Sequence, residues 1–235
     1  MYDIERSFDQ QILSTSKSRP TVIFIEPSDA RVVEAACCLT RFIRPVFLAP
    51  EAEVRALAAS QLTQVDQDRL QWGLSESTFI DINTRPDLVE EFAHGYRDYL
   101  IANGKELSLA ETRALVSQPS LFGICAVKFG HADTVVGGAT HETKDYFRPM
   151  VKMLAKDPFV CEAGVFVLPD EHPENIFPHN IVVFGDVGVN ATMTADTLAR
   201  TAVATSAVAR DLFAEDILPE IQAAIVSYSD RGSDE

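Results

Sequence analysis

The sequence predicts an α/β fold built on a parallel sheet, and three observations carry that prediction. Residues 20–27 form a β-branched and aromatic run bounded by Pro20 and Pro27, the pattern of a buried strand. Val33, Ala36, Thr40 and Ile43 then recur at helical spacing. Residues 45–49 read as a second strand and residues 51–60 as a second helix. The order strand, helix, strand, helix is the signature of a parallel sheet covered by helices.

The elements follow in order. Ser28 reads as the N-cap of the first helix, with Asp29 in its first turn. Residues 60–77 are polar and glutamine-rich, and read as a surface excursion. Residues 79–82 form a short strand. Residues 86–103 form a long amphipathic helix with Leu88, Phe92, Tyr96 and Tyr99 on one face. Ser108 and Glu111 make a capping box that opens another helix, and Pro119 opens a further one, apolar through Val127. Val135 and Val136 form a strand, and residues 146–156 a helix that ends near Pro158. Residues 159–168 are an extended apolar run, and residues 169–180 a loop rich in proline, acid and histidine. Residues 181–184 form a strand. Thr194 caps a helix whose Leu198, Ala202, Ala209 and Leu212 share a face, and residues 223–226 read as a last strand. A domain border near residues 143–149 is expected.

The 235 residues suffice for one large domain or two modest ones. Hydrophobic residues make up 46% and charged residues 23%, as in an ordinary soluble globular protein. Residues 1–20 lack the apolar core of a signal peptide, and no apolar run approaches membrane-spanning length, so a cytoplasmic protein without a membrane partner is expected. Cys37, Cys38, Cys125 and Cys161 include no Cys-x-x-Cys pair and read as reduced residues. A net charge of −15 disfavours nucleic acid as a partner. It leaves room for a small anionic substrate if basic residues gather locally, with Arg148, Lys144, Lys128 and Arg231 as candidates.

The chemistry concentrates in three places. After the Val135–Val136 strand come Gly137, Gly138 and a polar turn, then a helix carrying Arg148. Strand, glycine turn and helix start is a layout in which backbone N–H groups face an anion. Arg148 would add a charge that can fork onto phosphate. His141 in this turn fits an acid, a base or an oxyanion donor, and equally a structural histidine. Residues 185–190, with Asp186 and Asn190, could orient a substrate. The simpler reading is a strand-to-helix turn that uses its glycines for positive φ. Ser227, Ser229, Arg231, Gly232 and Ser233 follow the last strand, where open α/β sheets bind ligands; a frayed terminus fits them as well. Asp170, Glu171, His172, Glu174 and His179 lack the tight spacing of a metal site, so no metal is expected. There is no Gly-x-Gly-x-x-Gly, Walker loop, His-Glu-x-x-His or Gly-x-Ser-x-Gly. Their absence disfavours dinucleotide oxidoreductases, P-loop NTPases, zincins and α/β-hydrolases.

Five segments in register resemble the phosphate acetyltransferase/phosphate butyryltransferase family nearly end to end. They are residues 22–36 with Glu26 and Asp29, residues 121–133 with Lys128, residues 136–143 with Arg148 and Pro149, residues 184–195 with Asp186 and Asn190, and residues 227–233. The resemblance implies reversible transfer of an acyl group between coenzyme A and inorganic phosphate. Coenzyme A is a substrate, and no metal or redox cofactor is required. It implies two α/β/α-sandwich domains of the isocitrate/isopropylmalate dehydrogenase-like type, here residues 1–145 and 146–235, with the site in the cleft between them, in a homodimer. By the same resemblance, Ser227 and Arg148 are catalytic. His141, Thr143, Arg148, Asn190, Ser229, Arg231, Gly232 and Ser233 bind acyl-coenzyme A and phosphate or acyl phosphate.

The sequence departs from the family pattern in places. Glu142 stands where the family usually has serine, and Ala102 where it has a basic residue. Family members also continue past this chain's last loop. That continuation carries an acidic base for the thiol and a second phosphate-binding arginine, and completes the first domain's sheet. Two readings therefore stand at the level of sequence: a phosphate acyltransferase, lacking the C-terminal part, or a degenerate relative that binds coenzyme A, acyl phosphate or a partner without turnover.

Overall fold

Successive side chains on a strand point to opposite faces, so a strand buried on both faces is apolar throughout. That is the state of residues 22–25 in this protein. In the computed structural model, which describes residues 18–140, 143–157, 159–169, 177–190, 192–213 and 220–226, strand β1 (Thr21–Phe24) is interior. It pairs in parallel with β2 (Arg44–Phe47) on one side and with β4 (Thr134–Val136) on the other. β3 (Thr78–Phe79) adds to β2, so the order is β3-β2-β1-β4.

Helices cover both faces. On one face Val22, Phe24 and Phe47 form a core with α1 (Ala30–Cys38), α2 (Glu51–Gln61) and α3 (Gln67–Glu76). On the other, Ile23, Ile25, Val46 and Leu48 meet α4 (Pro86–Ala102), α5 (Leu109–Val116), α6 (Pro119–Lys128) and α7 (Thr143–Leu154). Phe92 of α4 is fully buried there, edge-on to Phe122 at 5.0 Å between ring centroids. The predicted capping box of Ser108 and Glu111 is present.

Several expectations need correction. The N-cap of α1 is Asp29, not Ser28: its carboxylate accepts the Arg31 N–H at 2.9 Å. Part of the expected surface excursion at residues 60–77 is the helix α3. Asp66 caps it, and Leu70 and Leu74, one turn apart, are buried against α1. Gly73 allows that contact, since a Cβ there would lie 2.5 Å from the Cys37 Cβ. The border expected at 145/146 falls inside α7, whose Met150, Met153 and Leu154 pack into the core that holds Phe92. The chain instead divides into compact units at 156/157, one of them Lys17–Lys156.

The unit that includes Asp157–Glu235 has its own frame. β5 (Ala163–Val167) pairs antiparallel with β6 (Ile181–Gly185), and α8 (Ala195–Leu212) packs on β6. Thr194 caps α8 in a capping box with Thr197. Residues 223–226 are not a strand: no described strand lies beside them to pair with, and Ile225 and Val226 are exposed. Among the described residues there are eight α-helices, none long and apolar enough to cross a membrane.

Candidate functional site

From β1 the chain steps outward through β2 to β3, whereas β4 lies on the other side of β1. The carboxyl ends of β1 and β4 therefore border a topological switch point, the place where open α/β sheets hold ligands. Ile25 still follows the ladder, its N–H donating to the Val136 carbonyl at 3.2 Å. The next residue of each segment leaves the sheet.

Glu26 leaves β1 with a carboxylate only 2% exposed. A buried carboxylate must find donors, and residues 138–140 supply them. The backbone N–H groups of Gly138, Ala139 and Thr140 each donate to Glu26 at 2.7 Å. The Thr140 hydroxyl adds a fourth bond at 2.8 Å. Gly138 has φ 105, a conformation that glycine adopts without strain. Successive N–H groups turned to one side form an anion-binding nest. The predicted cradle is thus present, but the chain's own carboxylate fills it, so the anion these amides bind is internal.

Beside this turn lies a cavity of about 280 Å³ whose walls include Ile25, Ile124, Val135, Tyr146, Met150 and, at the start of α6, Ser120. Tyr146 belongs to α7, and its hydroxyl stands where a Cβ on Gly138 would be. Arg148, two residues on, is exposed. Thr143 opens α7. Lys128 ends α6, at the opposite end from Ser120, so it does not join a basic cluster at the switch point. Ala102 is the exposed last residue of α4.

In the other unit, Asn190 is held by its own turn. Its backbone N–H donates to the Asp186 carboxylate at 3.1 Å, and its side-chain amide donates to the same carboxylate at 2.5 Å and to the Val160 carbonyl at 2.9 Å. The positive φ of this turn belongs to Asp186, at 54°, and not to its glycines. Gly185 is needed for closeness instead: a Cβ there would overlap the Thr205 hydroxyl on α8. Burial, and then the Asp186 charge, push the Cys161 thiol up. Burial pushes Cys37 and Cys125 up to about 12. None of these three thiols is primed as a nucleophile.

His141, Glu142, Ser227, Ser229, Arg231, Gly232 and Ser233 lie outside the described residues, as do Asp170, Glu171, His172 and Glu174. Among the described residues no group of acids, histidines and cysteines could hold a metal. Arg148 and Asn190 fall in different units, and each is placed only within its own. Sequence reasoning missed Glu26. The signal was an acid ending an otherwise apolar strand, just where a parallel sheet presents its ligand edge.

A parallel sheet with helices on both faces makes the unit of residues 17–156 an open α/β domain. The chain matches the model of the phosphate acetyl/butaryl transferase family over residues 7–235, and it belongs to that family. It is 27% identical over 234 residues to a phosphate acetyltransferase of Acetivibrio thermocellus, an alignment that covers 97% of this chain and 64% of the relative. With a phosphate acetyltransferase of Clostridium acetobutylicum it shares 32% over 139 residues, covering 57% and 39%. A phosphotransacetylase from Streptococcus pyogenes superimposes with a TM-score of 0.68 at 29% identity, covering all of this chain and 65% of that one. One from Staphylococcus aureus has the same TM-score at 22% identity, over 88% and 58%, which speaks to the fold alone. The chain thus spans less than two thirds of the length of each of these relatives.

Proposed function

We propose that this chain serves the reversible transfer of an acyl group between coenzyme A and inorganic phosphate. The observation that carries the proposal is the family match over residues 7–235. In the direction of acyl-coenzyme A formation, the thiol sulfur attacks the acyl carbonyl carbon. A carbon–sulfur bond forms, the carbon–oxygen bond to the phosphoryl group breaks, and phosphate leaves with the electron pair while the thiol proton passes to a base. Two negative charges or more sit on the phosphate throughout, so a fixed cation is the first requirement. Arg148, exposed on α7, suits that role.

Ser227 is proposed as the second catalytic residue. His141, Thr143, Asn190, Ser229, Arg231, Gly232 and Ser233 are proposed contacts to acyl-coenzyme A and phosphate. Asn190 would do this through its side-chain oxygen, since its amide nitrogen is committed to Asp186 and Val160. The isocitrate/isopropylmalate dehydrogenase-like domain type, a homodimer, a cytoplasmic setting and activity on acetyl or butyryl groups belong to the same proposal. It is supported by relatives named for phosphate acetyl transfer.

The direct test is formation of acetyl-coenzyme A from acetyl phosphate and coenzyme A by the purified chain. No product above background from folded protein sinks the reading for this chain. Arg148→Ala removes a charge-assisted contact of roughly 1.5–3 kcal/mol, so the KM for acetyl phosphate should rise about 10–100-fold. An unchanged KM removes Arg148 from the site.

A further inference from the structure

We propose that Glu26 is a positioning residue: its buried carboxylate fixes residues 138–140 and, through them, the place of α7 and Arg148. The substrate half of this inference rests on the acyl-phosphate reading above; the structural half does not.

The geometry couples Glu26 to Arg148 by two routes. The first runs along the chain. Thr140, which gives Glu26 both its N–H and its hydroxyl, stands three residues before Thr143 at the start of α7. Three peptide steps reach at most about 11 Å, so fixing Thr140 limits where the helix can begin. The second route runs through space. Gly138, held by Glu26, lies directly against the Tyr146 hydroxyl of α7. Arg148 is two residues beyond Tyr146 on the same helix, just before Pro149.

The arrangement also separates two jobs that the sequence assigned to one turn. The amides of residues 138–140 are spent on an internal anion, so they do not cradle the substrate phosphate. Their bonds to Glu26 set the turn in advance, and Arg148 remains free to meet an external anion. A cation held in place before the substrate arrives loses less freedom on binding it.

The test is amide hydrogen exchange, read residue by residue, on wild type, Glu26→Gln and Thr140→Val, with acetyl phosphate binding measured alongside. Glutamine keeps the size but turns an NH2 group toward amide donors. Thr140→Val removes the hydroxyl bond and spares the buried acid. Exchange at residues 138–140 and at the start of α7 should rise in Glu26→Gln, less in Thr140→Val, while the amides of β1 and β2 keep their protection. Acetyl phosphate should bind Glu26→Gln roughly tenfold more weakly, the scale of one lost charge-assisted bond. Adding Glu26→Gln to Arg148→Ala should weaken binding no further, because Glu26 acts through Arg148.

Exchange that rises everywhere, or that does not change at residues 138–140, overturns the proposal. So do losses that multiply in the double variant. If wild type does not bind acetyl phosphate, the acyl-phosphate reading falls, and the exchange measurement still decides whether Glu26 holds the turn.

Discussion

Glu26 and Asn190 are polar residues that follow strands and whose bonds turn inward; sequence singled out Asn190 and passed over Glu26. Glu26 is spent on three amides and a hydroxyl, and Asn190 on Asp186 and Val160. Sequence reveals that a donor or acceptor is present at a strand end. It does not reveal which partner satisfies it, because that partner is more than a hundred residues away in the case of Glu26. The cysteines were more legible, since an apolar pattern is itself a statement about burial. Cys37 and Cys125 are buried, and burial holds both thiols at about 12. At mildly alkaline pH both should therefore stay protonated and inert. Iodoacetamide labelling of the native protein followed by peptide mass spectrometry should find Cys37 and Cys125 unmodified, and labelled fully only after denaturation. Native labelling of either would show that its helix opens on the timescale of the reaction.

Among the elements, those with strong local signals were legible and those relying on distant support were not. The strand β1, the helix α4 with its Leu88 and Phe92 face, the capping box at Ser108 and the N-cap at Thr194 all stand as the patterns predicted. Helix α3 was hidden because its polar residues outnumber the two leucines and one glycine that dock it on α1. The strand expected at residues 223–226 failed for the converse reason: β-branched residues favour a strand only beside a partner. The start of α4 shows how a local charge pair sets a pH dependence. Arg85 is its N-cap residue, and Asp87 stands in the first turn. The hydrogen-bonded Arg85 guanidinium holds the Asp87 carboxyl down at about 2, from an ordinary 3.8. A carboxyl depressed in the folded state adds stability that is present above 3.8 and lost as pH falls toward about 2. Arg85→Ala should lower the Tm near neutral pH by a small amount, since both side chains are well exposed. The gap in Tm between wild type and variant should narrow as the pH is lowered through that window. Thermal melts followed by circular dichroism at stepped pH would show it, and a gap that widens in acid would contradict the assignment.

At the scale of the whole molecule, the apolar material is unevenly shared. Both large cores, one on each face of the sheet, lie within residues 17–156. They bury Phe24, Phe47, Phe92 and Phe122 almost completely. Each such side chain contributes about 1.5–3 kcal/mol of burial, so the stabilisation is concentrated where they are gathered. Among the described residues, the other unit has one two-stranded sheet and one α-helix, and Phe166, Phe184 and Val203 remain exposed there. A two-stranded sheet is marginally stable in water unless something packs on it. The strand–helix alternation made the first unit legible from sequence. The border was not legible, because α7 begins with polar residues and its attachment depends on Met150, Met153 and Leu154 meeting a core built elsewhere in the chain. The main cooperative unfolding transition should therefore belong to residues 17–156. A fragment of these residues should fold alone, and its calorimetric transition should fall within a few degrees of the main transition of the full chain. A fragment of residues 157–235 should show none. If the first fragment melts without a cooperative transition, its sheet depends on the rest of the chain, and residues 17–156 are not a self-supporting unit.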